Sequence, residues 1–369
     1  MKLEFKKDAL LNGINIVSKA IPSRTTMSIL ECILIDADAS EIKLTGNDME
    51  LGIETKVEGS ILERGKIALE AKLFYEIIRK LPDGETPVVI TSDNRFNTII
   101  ECENAVFNIQ GRDGEEFSYL PYIERDQHIS LTQFTLKEAI RQTIFSISPN
   151  DSNKMMAGEL LEVKDDFLKV VSLDGHRISI RKVELKENFG NIKVVVPGKT
   201  LTEVSKILSG ETDDDVRIFF TTNHIVFEFE ETIVVSRLIE GEYFRIDQML
   251  SSDYETKITV NKRELLSCID RATLLVKEGD KKPIIIHITD GSMELKINSQ
   301  IGSMKEDIDI EKEGKDILIG FNPRFLMDAL RVIDDETVDI YLVNPKAPCF
   351  IRDDKETYTY LILPVNFTA

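Results

Sequence analysis

Three stretches of this 369-residue chain follow one plan, and that repetition constrains the fold more than any single motif does. KIALEAKLFYEIIRKLPDGETPVVI (66–90), KVVVPGKTLTEVSKILSGETDDDVRIFF (193–220) and DILIGFNPRFLMDALRVIDDETVDIYL (316–342) each read as strand, helix, turn, strand. Their shared turns, Gly84-Glu85-Thr86, Gly210-Glu211-Thr212 and Asp335-Glu336-Thr337, recur after 126 and then 125 residues. A second helical unit precedes each stretch: FKKDALLNGINIVSKAI from Phe5, LKEAIRQTIFSIS from Leu136 and VNKRELLSCIDRATLLV from Val260. Self-similarity at a fixed period means one supersecondary unit used several times. Three domains are expected, at 1–127, 128–253 and 254–369.

Within a copy the two periodicities separate cleanly. Leu73, Phe74, Ile77, Ile78 and Leu81 form one apolar stripe at helical spacing, and Phe325, Leu326, Ala329, Leu330 and Ile333 repeat it. Asn322 stands where an N-cap belongs, with Pro323 in the first turn, where its missing N–H costs nothing. Short alternating segments such as EIKLTGNDMELGIETKV (41–57) and FLKVVSLDGHRISIRKV (167–183) read as half-buried strands. The fold class is therefore α+β: three tandem copies, each with two helices and about eight strands, the sheets to one side of the paired helices.

Charge is distributed unevenly over that plan. The chain carries a net charge of −19, which taken alone argues against a polyanionic partner. Yet the predicted helices, 6–19, 71–81, 136–148, 198–208, 261–277 and 322–333, sum to +9, leaving −28 on the rest. Basic helices on an acidic body point to one polyanion facing all six. Cys32, Cys102, Cys268 and Cys349 are dispersed, as are His128, His176, His224 and His287, so neither a zinc site nor a disulfide framework is indicated. Metal and cofactor are both expected to be absent. No export signal or bilayer-length apolar run is read in the chain, and a cytoplasmic location without membrane attachment is expected.

One motif invites a catalytic reading. Asp174-Gly175-His176-Arg177 interrupts an otherwise apolar strand pattern. Asp-Gly is a tight-turn signal, whereas Asp-x-His also suggests a hydrolase. A triad would need a nucleophile on an elbow such as G-x-S-x-G, and the chain contains none.

LTGNDMELGI (44–53), SLDGHRISI (172–180), RLIEGEYF (237–244), GFNPRFLMDAL (320–330) and YLILPV (360–365) stand together in an order and spacing that resembles the bacterial sliding clamps, the β subunits of DNA polymerase III. The resemblance runs end to end. It implies a non-catalytic head-to-tail homodimer, closed into a ring around duplex DNA of any sequence. It also implies placement by a clamp loader and tethering of DNA polymerases and repair proteins through short linear peptides.

Helix charge and resemblance together nominate as DNA-facing Lys7, Arg24, Lys72, Arg79, Lys80, Lys137, Arg141, Asn150, Lys154, Lys199, Lys206, Arg263, Arg271 and Arg324. Arg24 matches the family's DNA-contacting arginine within IPSRTTMSIL. The resemblance places a partner-peptide groove at Met156, Leu173, Gly175, His176, Arg177, Ile178, Phe244, Met249, Phe325, Pro348, Leu361, Ile362, Leu363, Pro364 and Val365. It sets Phe107 and Ile109 of one subunit against Leu274 and Leu275 of the next. Tyr243 to Asp247 and Asn366 depart from the family pattern, which implies an altered peptide preference. Two readings compete with it: a triplicated interaction scaffold that never touches DNA, and a hydrolase using Asp174 and His176.

Overall fold

A computed structural model describes residues 1–125, 128–148, 153–210, 214–276 and 282–367. Its α-helices among these residues are α1 (Lys7–Val17), α2 (Ala71–Lys80), α3 (Gln133–Arg141), α4 (Gly198–Ile207), α5 (Lys262–Thr273) and α6 (Pro323–Val332). Side chains fix several starts: the Glu70 carboxylate accepts from the N–H groups of Lys72 and Leu73, Asn261 accepts from Glu264, and Asn322 accepts from Arg324 ahead of Pro323.

α3 departs most from the expected limits of 136–148. It begins at Gln133 and stops at Arg141, because the Thr143 hydroxyl donates to the Ala139 carbonyl at 2.8 Å and Thr143 leaves helical geometry at φ −127. A single 3₁₀ turn, Ile144–Ser146, follows.

By contact the chain divides into two compact units: residues 1–134 with 203–238, and 135–202 with 239–369. Sheet continuity explains the count. The first unit holds a five-stranded sheet in the order 59–63, 2–5, 88–92, 97–102, 105–110. Its nine-stranded sheet runs 112–113, 66–70, 32–36, 42–47, 51–57, 232–237, 224–229, 215–220, 128–132. The second unit holds a nine-stranded sheet in the order 191–197, 158–164, 167–173, 177–184, 358–362, 349–352, 337–342, 256–261, 311–314. Beside it lies a four-stranded sheet, 302–309, 292–299, 284–289, 317–321. The central repeat thus gives four strands to each large sheet.

Strand pairing makes both junctions. Leu51–Thr55 pairs antiparallel with Thr232–Ser236, and the buried Thr55 and Thr232 hydroxyls meet at 2.9 Å. Arg177–Arg181 pairs likewise with Tyr358–Ile362. Each junction covers two edges that would otherwise expose unpaired N–H and C=O groups. Packing then follows the predicted stripes. In the first unit α1 buries Leu10, Ile14 and Val17, with Gly13 close against Leu44 and Val57. In the second, Leu265, Cys268, Ile269 and Ala272 of α5 share one core with Leu326, Met327, Ala329 and Leu330 of α6. All four cysteines are buried free thiols.

Candidate peptide groove, basic helices and sheet edges

The Asp-Gly-His-Arg segment of the second unit is the turn of a hairpin between strands 167–173 and 177–184, with Leu173 opposite Ile178. Gly175 takes φ +82, a conformation that suits glycine. The Asp174 carboxylate accepts from the N–H groups of His176 and Arg177 at 3.0 and 3.1 Å, so the turn is held by its own first residue.

Arg177 is a strut. Its guanidinium donates to Asp174 Oδ2 at 2.9 Å, to Asp328 Oδ2 at 2.6 Å and to the Phe145 carbonyl at 2.6 Å. It also lies over the Phe325 ring, 4.5 Å from the centroid, and leaves only 10% of its side chain exposed. Three charge-assisted or carbonyl bonds plus a ring contact fix the hairpin to α6 and to the turn after α3. His176 stays exposed, its ring stacked near that of Phe325 with centroids 6.1 Å apart.

Behind the hairpin opens a cavity of about 440 Å³, lined by Met156, Leu173, Gly175, His176, Arg177, Ile178, Phe244, Met249, Pro348, Leu361 and Leu363. Its lining is almost wholly apolar, with polar groups confined to the hairpin, which is the make-up of a site for an apolar ligand with a few orienting contacts. Two thioethers, Met156 and Met249, give the wall adaptable surface.

Four of the fifteen nominated residues do not line it: Phe325, Ile362, Pro364 and Val365. Phe325 instead backs the wall through His176 and Arg177. Strand alternation separates the rest, because Leu361 and Leu363 face the cavity while Ile362 points to the opposite side and is 1% exposed. Pro364 and Val365 belong to the docked tail: Leu363 N–H donates to the His176 carbonyl at 2.9 Å, and Val365 N–H donates to the Gly320 carbonyl at 2.8 Å. Gly320 lets the tail lie close, since a β-carbon would come 2.6 Å from the Phe367 ring and 3.0 Å from the Val365 carbonyl oxygen. Asp328 and Phe145 were missed, because partners this distant in sequence leave no local pattern.

The nominated cations are less free than their number suggests. Lys7 is half-buried and donates to the Leu81 carbonyl and Asp83, at 2.6 and 2.5 Å. Arg79 and Lys80 share Glu76, Arg141 is held by Glu138 and Asp334, Lys206 by Glu203, and Arg271 by Glu306. Arg24, Lys72, Arg263 and Arg324 are exposed and form no ion pair among the described residues. Lys154 and Lys199 are exposed and Lys137 is partly so, while Asn150 lies outside the described residues.

Each unit also ends in an open sheet edge, apolar in the first and largely charged in the second. Strand 105–110 closes the five-stranded sheet of the first unit, with Phe107 exposed and Ile109 half-buried. Strand 302–309 closes the four-stranded sheet of the second. Near it, Leu274 at the end of α5 is 78% exposed, while Leu275 packs partly into the core and lies 3.4 Å from the β-carbon position of Gly302.

Comparison with known proteins agrees across the whole length. Residues 1–121, 130–244 and 247–366 match the N-terminal, central and C-terminal domain models of the DNA polymerase III beta subunit. The beta sliding clamp of Staphylococcus epidermidis is 35% identical over 377 residues, covering 99% of each chain. The crystal structure of a candidate DNA polymerase III beta subunit from Eubacterium rectale is 68% identical, with TM-score 0.96 and full coverage of both chains. That of the DNA polymerase sliding clamp from Bacillus subtilis is 34% identical, with TM-score 0.95 and full coverage of both.

Proposed function

Because the chain belongs to the DNA polymerase III beta-subunit family, we propose that it works as a sliding clamp whose two subunits close head to tail around duplex DNA. The observation that carries the reading is the ordered match of all three repeats to the family's three domains. The protein is not an enzyme: it serves replication as a processivity factor. Asp174 accordingly has a structural duty in the turn and on Arg177.

Phosphate contacts hold position without reading sequence, so a sliding ring needs a modest cationic lining. Exposed Arg24, Lys72, Arg263 and Arg324 supply it, while the paired helix cations contribute less than full charges. The acidic remainder discourages adhesion of stray nucleic acid. A clamp loader opens the ring, and the three domains fall at 1–127, 128–253 and 254–369.

Polymerases and repair proteins dock short peptides in the cavity behind the Asp174–Arg177 hairpin. Met156 and Leu363 act as apolar anchors there. Replacing both by Ala is expected to weaken a labelled polymerase-derived peptide by about 1–2 kcal/mol or more, read by fluorescence polarisation. Removing the chain from Leu363 onward should abolish binding, since the bond from Leu363 N–H to His176 goes with it. Sedimentation of the unaltered protein should give twice the 41.9 kDa of one chain. Unchanged peptide affinity in the Met156→Ala, Leu363→Ala protein would remove the groove assignment, and a monomer at micromolar concentration would remove the ring.

A further inference from the structure

Beneath the groove, the large sheet of the second unit carries a row of side chains with one unexplained member. Register sets Glu159 opposite Val196, Ser172 opposite Ser179, and Ser179 opposite Tyr360. Leu160 opposite Val171 brings Glu159 level with Ser172. All five therefore leave the same face, away from the cavity-lining Leu173, Ile178 and Leu361.

The turn 142–146 lies across that row, and three members hold it. The Tyr360 hydroxyl donates to the Gln142 carbonyl at 3.1 Å, the Ser172 hydroxyl donates to the Thr143 carbonyl at 2.5 Å, and the Ser179 and Ser146 hydroxyls meet at 2.6 Å. Glu159 comes next and holds nothing: it is fully buried, and neither carboxyl oxygen has a hydrogen-bond partner among the described residues. Leaving an ionised carboxylate in such a place costs far more than leaving a neutral acid.

Thr143 is the polar side chain that acts on it, and the Thr143 hydroxyl proton is already engaged by the Ala139 carbonyl at 2.8 Å. An ionised Glu159 could recruit that proton only by taking it from the last turn of α3. Burial pushes the carboxyl up to about 8, with the Thr143 hydroxyl as the opposing influence. From the remaining packed elements, Ser172 and Val196 bring no titratable group, and the Tyr243 phenol is itself pushed up, by burial first and then by Glu159.

We propose that Glu159 is a proton-carrying latch under the groove: neutral, it leaves the turn 142–146 at rest, and deprotonated, it draws Thr143 away and loosens the Phe145 carbonyl that holds Arg177. The proposal rests on the groove being the peptide site. In the unfolded chain the carboxyl returns to its ordinary value of 4.5. Its stabilising contribution is thus complete below about 4.5, declines as pH rises toward about 8, and is lost above that.

The test compares the unaltered protein with Glu159→Gln between about pH 6.5 and about pH 9, a range in which ordinary carboxylates stay ionised and lysines stay almost wholly protonated. The unaltered protein should show the infrared carbonyl band of a buried carboxylic acid at neutral pH, lose it in alkaline solution, and lose affinity for the labelled peptide several-fold in step. Glu159→Gln should lack the band and lack that alkaline loss of affinity, every other titratable group being common to the two proteins. Hydrogen exchange at 142–146, taken relative to Glu159→Gln at each pH, should quicken in step with loss of the band. Absence of the band at neutral pH, or parallel exchange profiles for the two proteins, overturns the latch. Failure of the peptide to bind either protein at neutral pH overturns the groove instead, and the band and the exchange data still decide the latch.

Discussion

On a nicked circular duplex, loaded by its clamp loader, the protein is expected to stay bound through moderate salt and to be lost once the circle is cut. The expectation follows from how little of its positive charge is free. Of the nominated cations, Lys7, Arg79, Lys80, Arg141, Lys206 and Arg271 have carboxylates in contact. If Arg24, Lys72, Arg263 and Arg324 each neutralise one phosphate, simple adhesion should weaken roughly a hundredfold between about 50 and about 200 mM salt. Encirclement has no such dependence, because escape requires a DNA end or an open ring. Gel filtration of loaded circles before and after linearisation reads the difference. Equal retention on linear DNA with free ends would sink the topological reading in favour of simple adhesion, and no retention on the circle would favour the scaffold alternative.

That calculation also marks where sequence reasoning runs short. The repeats made the fold legible, since each helix and strand could be checked against two other copies, and the Asn322-Pro323 start of α6 was readable as it stands. The charge tally was correct as arithmetic but overstated the free cations. Glu76–Arg79, Glu138–Arg141 and Glu203–Lys206 all pair at i,i+3, a spacing visible in the sequence. Position along the chain nominated the hairpin that borders the cavity, whereas the run from Leu361 to Val365 was taken whole although strand alternation turns Ile362 away and the bond from Val365 to Gly320 carries the tail past it. Arg177 could be nominated but not understood, because Asp328 is brought to it by the junction of two repeats and Phe145 by the folding of the central repeat on itself. The same junctions explain why contact divides the chain into two units although the sequence repeats three times.

The ring's closure gives the other large effect. Leu274 is 78% exposed in the single subunit, so truncating it to Ala should leave the protomer's own stability nearly unchanged. Against a partner's strand 105–110 it would be buried, and losing most of a buried leucine costs about 1.5–3 kcal/mol. A two-subunit ring has two identical contacts, and both must break to release monomers. The penalty is therefore counted twice, about 3–6 kcal/mol, or roughly two to four powers of ten in the dimer dissociation constant. Leu275→Ala should add to it, but Leu275 also packs into the core, so the double variant needs a thermal melt beside the sedimentation run. Leu274→Ala alone separates the two causes. A folded, submicromolar Leu274→Ala, Leu275→Ala protein that remains wholly dimeric would show that these leucines do not meet the Phe107 edge, and the exposed α5 terminus would then need another partner.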